Sequence, residues 1–151
     1  MAFTGFPSEM LAFLTGINAN NTKEWFTANR PLYDATVAAS KTFVEAVGPR
    51  LQEFAPEIRF EPKVGGSLQR PNRDTRFDKG KAPYKEQLDL WFWHGEKKGW
   101  DQPGFFLRIA PANLWIASGM STASASARRR ILPRWISTRP TTRSTSSSSA
   151  I

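Results

Sequence analysis

The hydrophobic residues change their spacing once along this chain, near Pro56, from threes and fours to alternation, and that single change confines the fold to one class. Before it, Phe6, Met10, Phe13 and Leu14 stand at helical spacing behind Pro7 and Ser8, predicting a short helix over 6–16 that ends at Gly16. Asn21-Thr22-Lys23-Glu24 has the form of a capping box. In such a box the Asn side chain accepts an early backbone N–H and Glu24 reaches back, so a second helix starts there with Trp25 and Phe26 in its first turn. From Pro31 onward, Leu32, Val37, Phe43, Val44, Val47, Leu51 and Phe54 recur at threes and fours with charged residues mainly between them. This is the main amphipathic helix, running to about Phe54 with a break expected at Gly48-Pro49.

Beyond Pro56, Ile58-Arg59-Phe60 with Val64 predicts a short strand, Gly65-Gly66 a turn and Ser67-Leu68-Gln69-Arg70 a second strand. In 86–93, Leu88, Leu90 and Phe92 point one way and Gln87, Asp89, Trp91 and Trp93 the other. Phe105, Leu107 and Ile109 alternate around Phe106 and Arg108, and Leu114 with Ile116 makes a last run before Gly119. The linkers HGEKKGWDQPG and PAN are turn-like and contain Gly or Pro, and the helices come before the strands and not between them, where a parallel sheet would need crossovers. The expected class is therefore α+β: N-terminal helices packed on an antiparallel meander of about four or five strands.

Composition narrows the chemistry. Among 151 residues there is no Cys, which excludes disulfides, a thiolate nucleophile and cysteine-held zinc or iron–sulfur centres, and His94 is the only histidine. The longest apolar run, Met10 to Leu14, is far below the ~20 residues that span a bilayer, and no Lys or Arg precedes Lys23 to begin a signal peptide. A cytoplasmic protein with no membrane contact is expected. The net charge of +8 would suggest nucleic acid, but position alters that reading. All thirteen Asp and Glu lie at or before Asp101, and residues 1–116 hold fifteen Lys and Arg, leaving +2. The other six cations are arginines of a tail, 121–151, that also holds fourteen Ser and Thr. Such a tail cannot bury enough apolar surface to offset its ordering entropy, so disorder is expected for most of it.

The densest polar cluster is residues 70–85, RPNRDTRFDKGKAPYK, with six cations against Asp74 and Asp78. Arginine forks suit carboxylate or phosphate, and Gly80 with free backbone N–H groups would complete an anion pocket. The candidate ligand-binding residues are Arg73, Arg76, Lys81 and Lys85, with Asp74 orienting the arginines and Tyr84 beside them. Beside this stands a structural reading, in which the aspartates fix the arginines and Phe77 and Tyr84 plug the core. No catalytic residue is assigned: His94 stands between Trp93 and Gly95 at a strand end with no Gly-x-Ser-x-Gly elbow anywhere. Asp74, Asp78, Asp89 and Asp101 carry oxygens that suit Mg²⁺, but the adjacent cations weigh against it, so no metal or cofactor is expected. Trp91 and Trp93 offer a stacking platform for a base or sugar ring, or a face for a covering helix. Asn20-Asn21 reads as a cap before a ligand contact, and Gly65-Gly66 as a turn, since no Gly-Lys-Ser/Thr follows.

Three stretches, NANNTKEWFTANRPLYD at 18–34, RDTRFDKGKAPYK at 73–85 and FFLRIAP followed by ASGM, resemble the bacterial and fungal family known as domain of unknown function 2461. The resemblance runs from about Phe6 to Met120. It places the family's signature on Asn21, Glu24, Trp25, Phe26, Arg30, Tyr33, Arg73, Asp74, Arg76, Phe77, Lys81, Pro83, Tyr84 and Lys85, and it implies no reaction. The chain thus reads as one α+β domain, 1–120, incomplete relative to the family, and a tail, 121–151. The resemblance stops where the composition shifts, which suggests a change of reading frame near codons 118–122 and, with it, an open apolar face. The leading functional expectation is binding of an anionic small molecule, bearing phosphate or carboxylate, through the 70–85 loop. The alternatives are a nucleic-acid module using that loop and the basic tail, and a structural or protein-interaction domain with a buried ion network.

Overall fold

The computed structural model describes residues 3–74, 80–96, 98 and 102–119. The expectations for Arg76, Phe77 and Asp78, and for the tail 121–151, lie outside the described residues. Three helices come first, α1 (Ser8–Ala19), α2 (Lys23–Ala28) and α3 (Arg30–Phe54), then four strands, β1 (Ile58–Arg59), β2 (Leu88–His94), β3 (Gly104–Ile109) and β4 (Leu114–Gly119). The strands form one antiparallel sheet in the order β1-β2-β3-β4. The α+β class and the meander are as expected.

Helix boundaries differ from the sequence expectation at three places, each for a local reason. Gly16 does not end α1, which continues to Ala19. Its missing side chain instead admits the Trp25 ring, for a Cβ there would overlap Trp25 Cζ2. The cap of α2 is Thr22, whose Oγ1 accepts the Trp25 N–H at 3.2 Å, and Asn21 is released for another task. Finally, α3 runs unbroken through Gly48-Pro49. Pro49 is exposed, so water can serve the carbonyl its missing N–H leaves open, and Gly48 lets Phe60 press against the helix.

On the helix side, Leu88, Leu90 and Phe92 of β2 and Phe105, Leu107 and Ile109 of β3 meet Met10, Phe13, Leu14 and Ile17 of α1 and Val44 of α3. The expected strand at 67–70 reduces to bridges: Leu68 pairs with Leu90, and the Trp91 N–H donates to the Ser67 carbonyl. β4 closes the sheet with every residue exposed, Leu114, Trp115 and Ile116 at 63%, 64% and 77%.

Candidate functional site

The stretch before and after Gly80 folds back on itself. Asn72 bridges Tyr84, the Arg73 N–H donates to the Pro83 carbonyl at 2.9 Å, and the Lys85 N–H donates to the Pro71 carbonyl at 2.7 Å. Asn21 locks this arm to the helices. Its Nδ2 donates to the Tyr84 carbonyl at 3.0 Å and its Oδ1 accepts the Tyr84 N–H at 2.9 Å, a two-point clasp across 63 residues of sequence. The buried Tyr84 ring lies flat on Phe26, centroids 4.3 Å apart and planes 7° from parallel. Tyr33 packs on Phe26 in turn, and the Arg30 guanidinium lies over Tyr33. The two motif blocks read separately along the chain are one joint in space.

That joint sets Lys85 at a cavity of about 30 Å³, room for roughly two waters or one end of a small ligand. α1 contributes Phe13 and Leu14, α3 contributes Tyr33, Thr36 and Val37, and the other wall is built from 64–71 and 85–88. The lining is mainly apolar, with Lys85, Tyr33, Gln69 and Gln87 as its polar members besides Thr36, whose hydroxyl is used by the Leu32 carbonyl. Burial pulls the Lys85 ammonium below the ordinary lysine range; Asp89 opposes this, and the nearby Arg108, Arg70 and Arg73 add to it. Burial likewise raises the Tyr33 hydroxyl, opposed by Arg30 and assisted by Asp34.

Two of these arginines are already committed. Arg108 grips the buried Asp89 with both arms, Nε to Oδ1 at 2.7 Å and Nη2 to Oδ2 at 3.1 Å, and Arg73 reaches Glu86 at 3.4 Å. Lys85 has no hydrogen-bond or ion-pair partner for its ammonium among the described residues. Of the expected site residues, then, Lys85 lines the cavity and Arg73 stands within its electrostatic reach, while Asp74 and Lys81 are exposed and make contacts of their own. Tyr84 belongs to the core, its ring covered by Phe26. Arg76 lies outside the described residues.

Other expectations are corrected. Trp91 and Trp93, 4% and 3% exposed, present no stacking face, and among the described residues it is the Lys98 ammonium, not a helix, that sits over the Trp93 ring, donating also to the Gly65 and Gly66 carbonyls. Asn21 is not a helix cap but the clasp on Tyr84. His94 stands at the end of β2 as expected, half-exposed, and pairs with Glu57 at 2.5 Å. Among the described residues no group of three acidic or histidine side chains could hold a metal ion, and no helix is long and apolar enough to cross a membrane.

The model of a protein family, "Conserved hypothetical protein (DUF2461)", matches residues 9–141. The chain belongs to this family. No curated protein and no solved structure matches it. The match takes in both blocks of the joint and runs past Met120, where the resembling stretches end. In this DUF2461 chain, sequence reasoning missed the cavity walls and the Asp89–Arg108 fork. Tyr33 was within reach as part of the signature, and Asp89 and Arg108 as opposite charges on consecutive predicted strands. Nothing in the sequence marks Gln69 or Gln87.

Proposed function

We propose that this protein is a cytoplasmic domain that binds a small anionic ligand, carrying phosphate or carboxylate, at the Lys85 end of the cavity. The supporting observation is the position of Lys85: a half-buried ammonium with no hydrogen-bond or ion-pair partner among the described residues, favoured by the charge of Asp89 and opposed by Arg108, Arg70 and Arg73, on the rim of a mainly apolar hollow. The nearby carboxylates Asp89 and Glu86 are each paired with an arginine, so the Lys85 ammonium is left to meet an incoming anion. In this reading Lys85 meets the anion, Arg73 adds field, Asp74 orients the arginines, and Arg76 and Lys81 keep the ligand-binding role that their place in the sequence motif suggests. Tyr84 acts by holding the backbone of Lys85 in place.

Titrating the full chain with inorganic phosphate, and separately with acetate, while following backbone amide shifts tests this. Shifts at 70–74 and 80–87 that saturate near roughly millimolar ligand, about −4 kcal/mol, are expected. Flat titrations with both anions overturn it. A structural role for the same loop is favoured by the Asn21 clasp and the Arg73–Glu86 pair. It predicts flat titrations together with lost stability in Arg73→Ala.

A further inference from the structure

Among the described residues, the two lysines whose ammonium groups burial pulls down differ in what their nitrogens do. Lys98 Nζ is engaged by the Gly65 and Gly66 carbonyls and lies over the Trp93 ring. Lys85 Nζ has no acceptor among the described residues and stands at a mainly apolar cavity. Desolvation beside other cations is the arrangement that turns a lysine into an amine nucleophile toward carbonyl compounds. Each unit by which such an amine's pKa falls leaves about tenfold more free base at neutral pH.

We propose that Lys85 captures the carbonyl carbon of a short-chain 2-oxo acid as a Schiff base. The proposal rests on the anion-binding reading of the same cavity and names its ligand class. The carboxylate supplies the anion that Arg70 and Arg73 favour, the adjacent carbonyl faces the amine, and the small hollow limits the chain behind it to a few atoms. The nitrogen lone pair forms the N–C bond as the carbonyl π pair moves onto oxygen, and that oxygen takes up a proton as the nitrogen gives one up. The resulting carbinolamine loses its hydroxyl with the second nitrogen proton as water, leaving C=N. No electron is gained or lost overall. Tyr33, lining the same cavity and kept protonated by burial, is the hydroxyl available to hand the oxygen its proton.

Borohydride trapping reads this directly. The full chain is incubated with pyruvate at neutral pH, reduced with sodium borohydride, and analysed by intact mass and peptide mapping. One reduced adduct per chain is expected, on Lys85, exceeding that on any other lysine by about tenfold and suppressed by excess inorganic phosphate. Lys85→Arg should lose the adduct, and Lys98→Arg should keep both the adduct and the phosphate-induced amide shifts. Mapping of the wild-type adduct locates the reactive amine even where a variant fails to fold. Labelling spread evenly over surface lysines, with phosphate shifts intact, overturns the nucleophile and leaves anion binding standing. Absence of both adduct and shifts overturns the two together.

Discussion

Asn21 shows how one side chain can serve a whole motif. Its amide is the only group seen to bind both backbone polar atoms of Tyr84 among the described residues, and both would otherwise be part-buried and unsatisfied. Asn21→Ala is expected to destabilise the protein by about 1–3 kcal/mol, the penalty for an abandoned buried polar group, read as a lower urea midpoint at unchanged slope. The Asp89–Arg108 fork predicts an asymmetry. Arg108→Ala strands the buried Asp89 carboxylate and should lie near the low end of the about 3–5 kcal/mol typical of a broken buried pair. Asp89→Asn leaves an arginine that already reaches water, and should cost less in the same assay. Lys85 sets the pH dependence. Its folded pKa is below its unfolded value, so the unfolded chain holds more protons in the window between the two. Stability therefore rises with pH through that window, while anion affinity falls as Lys85 deprotonates. Replacing Lys85 with Met is expected to raise the melting temperature and abolish phosphate binding.

At the scale of elements, α3 carries the sharpest contrast between propensity and packing. Helix propensity favours Ala over Gly at 48 and over Pro at 49, yet only the second change should help. A Cβ at 48 would overlap the Phe60 ring, whereas Pro49 is exposed and obstructs a helix that continues past it. Thermal unfolding should show Gly48→Ala destabilised and Pro49→Ala stabilised by up to about 3 kcal/mol. The same elements show what was legible in the sequence. The switch of period at Pro56 predicts helices before strands, and alternation in 88–93 predicts the faces of β2, because both follow from burying one stripe against one core. Gly16, Asn21 and Pro49 mislead because their local meanings, stop, cap and break, yield to contacts with Trp25, Tyr84 and solvent. Of the site, the cationic loop was legible as charge. The cavity was not, since its walls come from α1, α3 and 64–71, brought together only by tertiary packing.

For the molecule as a whole, the sheet is covered unevenly. β2 is buried on both faces, whereas β4, the outermost strand among the described residues, exposes Leu114, Trp115 and Ile116 and carries no charge or proline to deter pairing. Ile116→Lys is expected to reduce concentration-dependent association, measured by sedimentation, without lowering the melting temperature. The proposed change of reading frame near codons 118–122 concerns the chain that follows this strand. Resequencing across it should show an altered frame, and an unchanged frame with an intact mass of 17.0 kDa would overturn that proposal. Whether the fold builds an unneutralised, desolvated ammonium at Lys85 for an anion to meet is best decided by titrating that one amine. With ¹³C-labelled lysine, the Cε signal of half-buried Lys85 should titrate below the exposed lysines and move upward when phosphate is added, because the anion stabilises the charged form. A Lys85 that titrates with the ordinary lysines, and does so equally with and without phosphate, would refute the anion site.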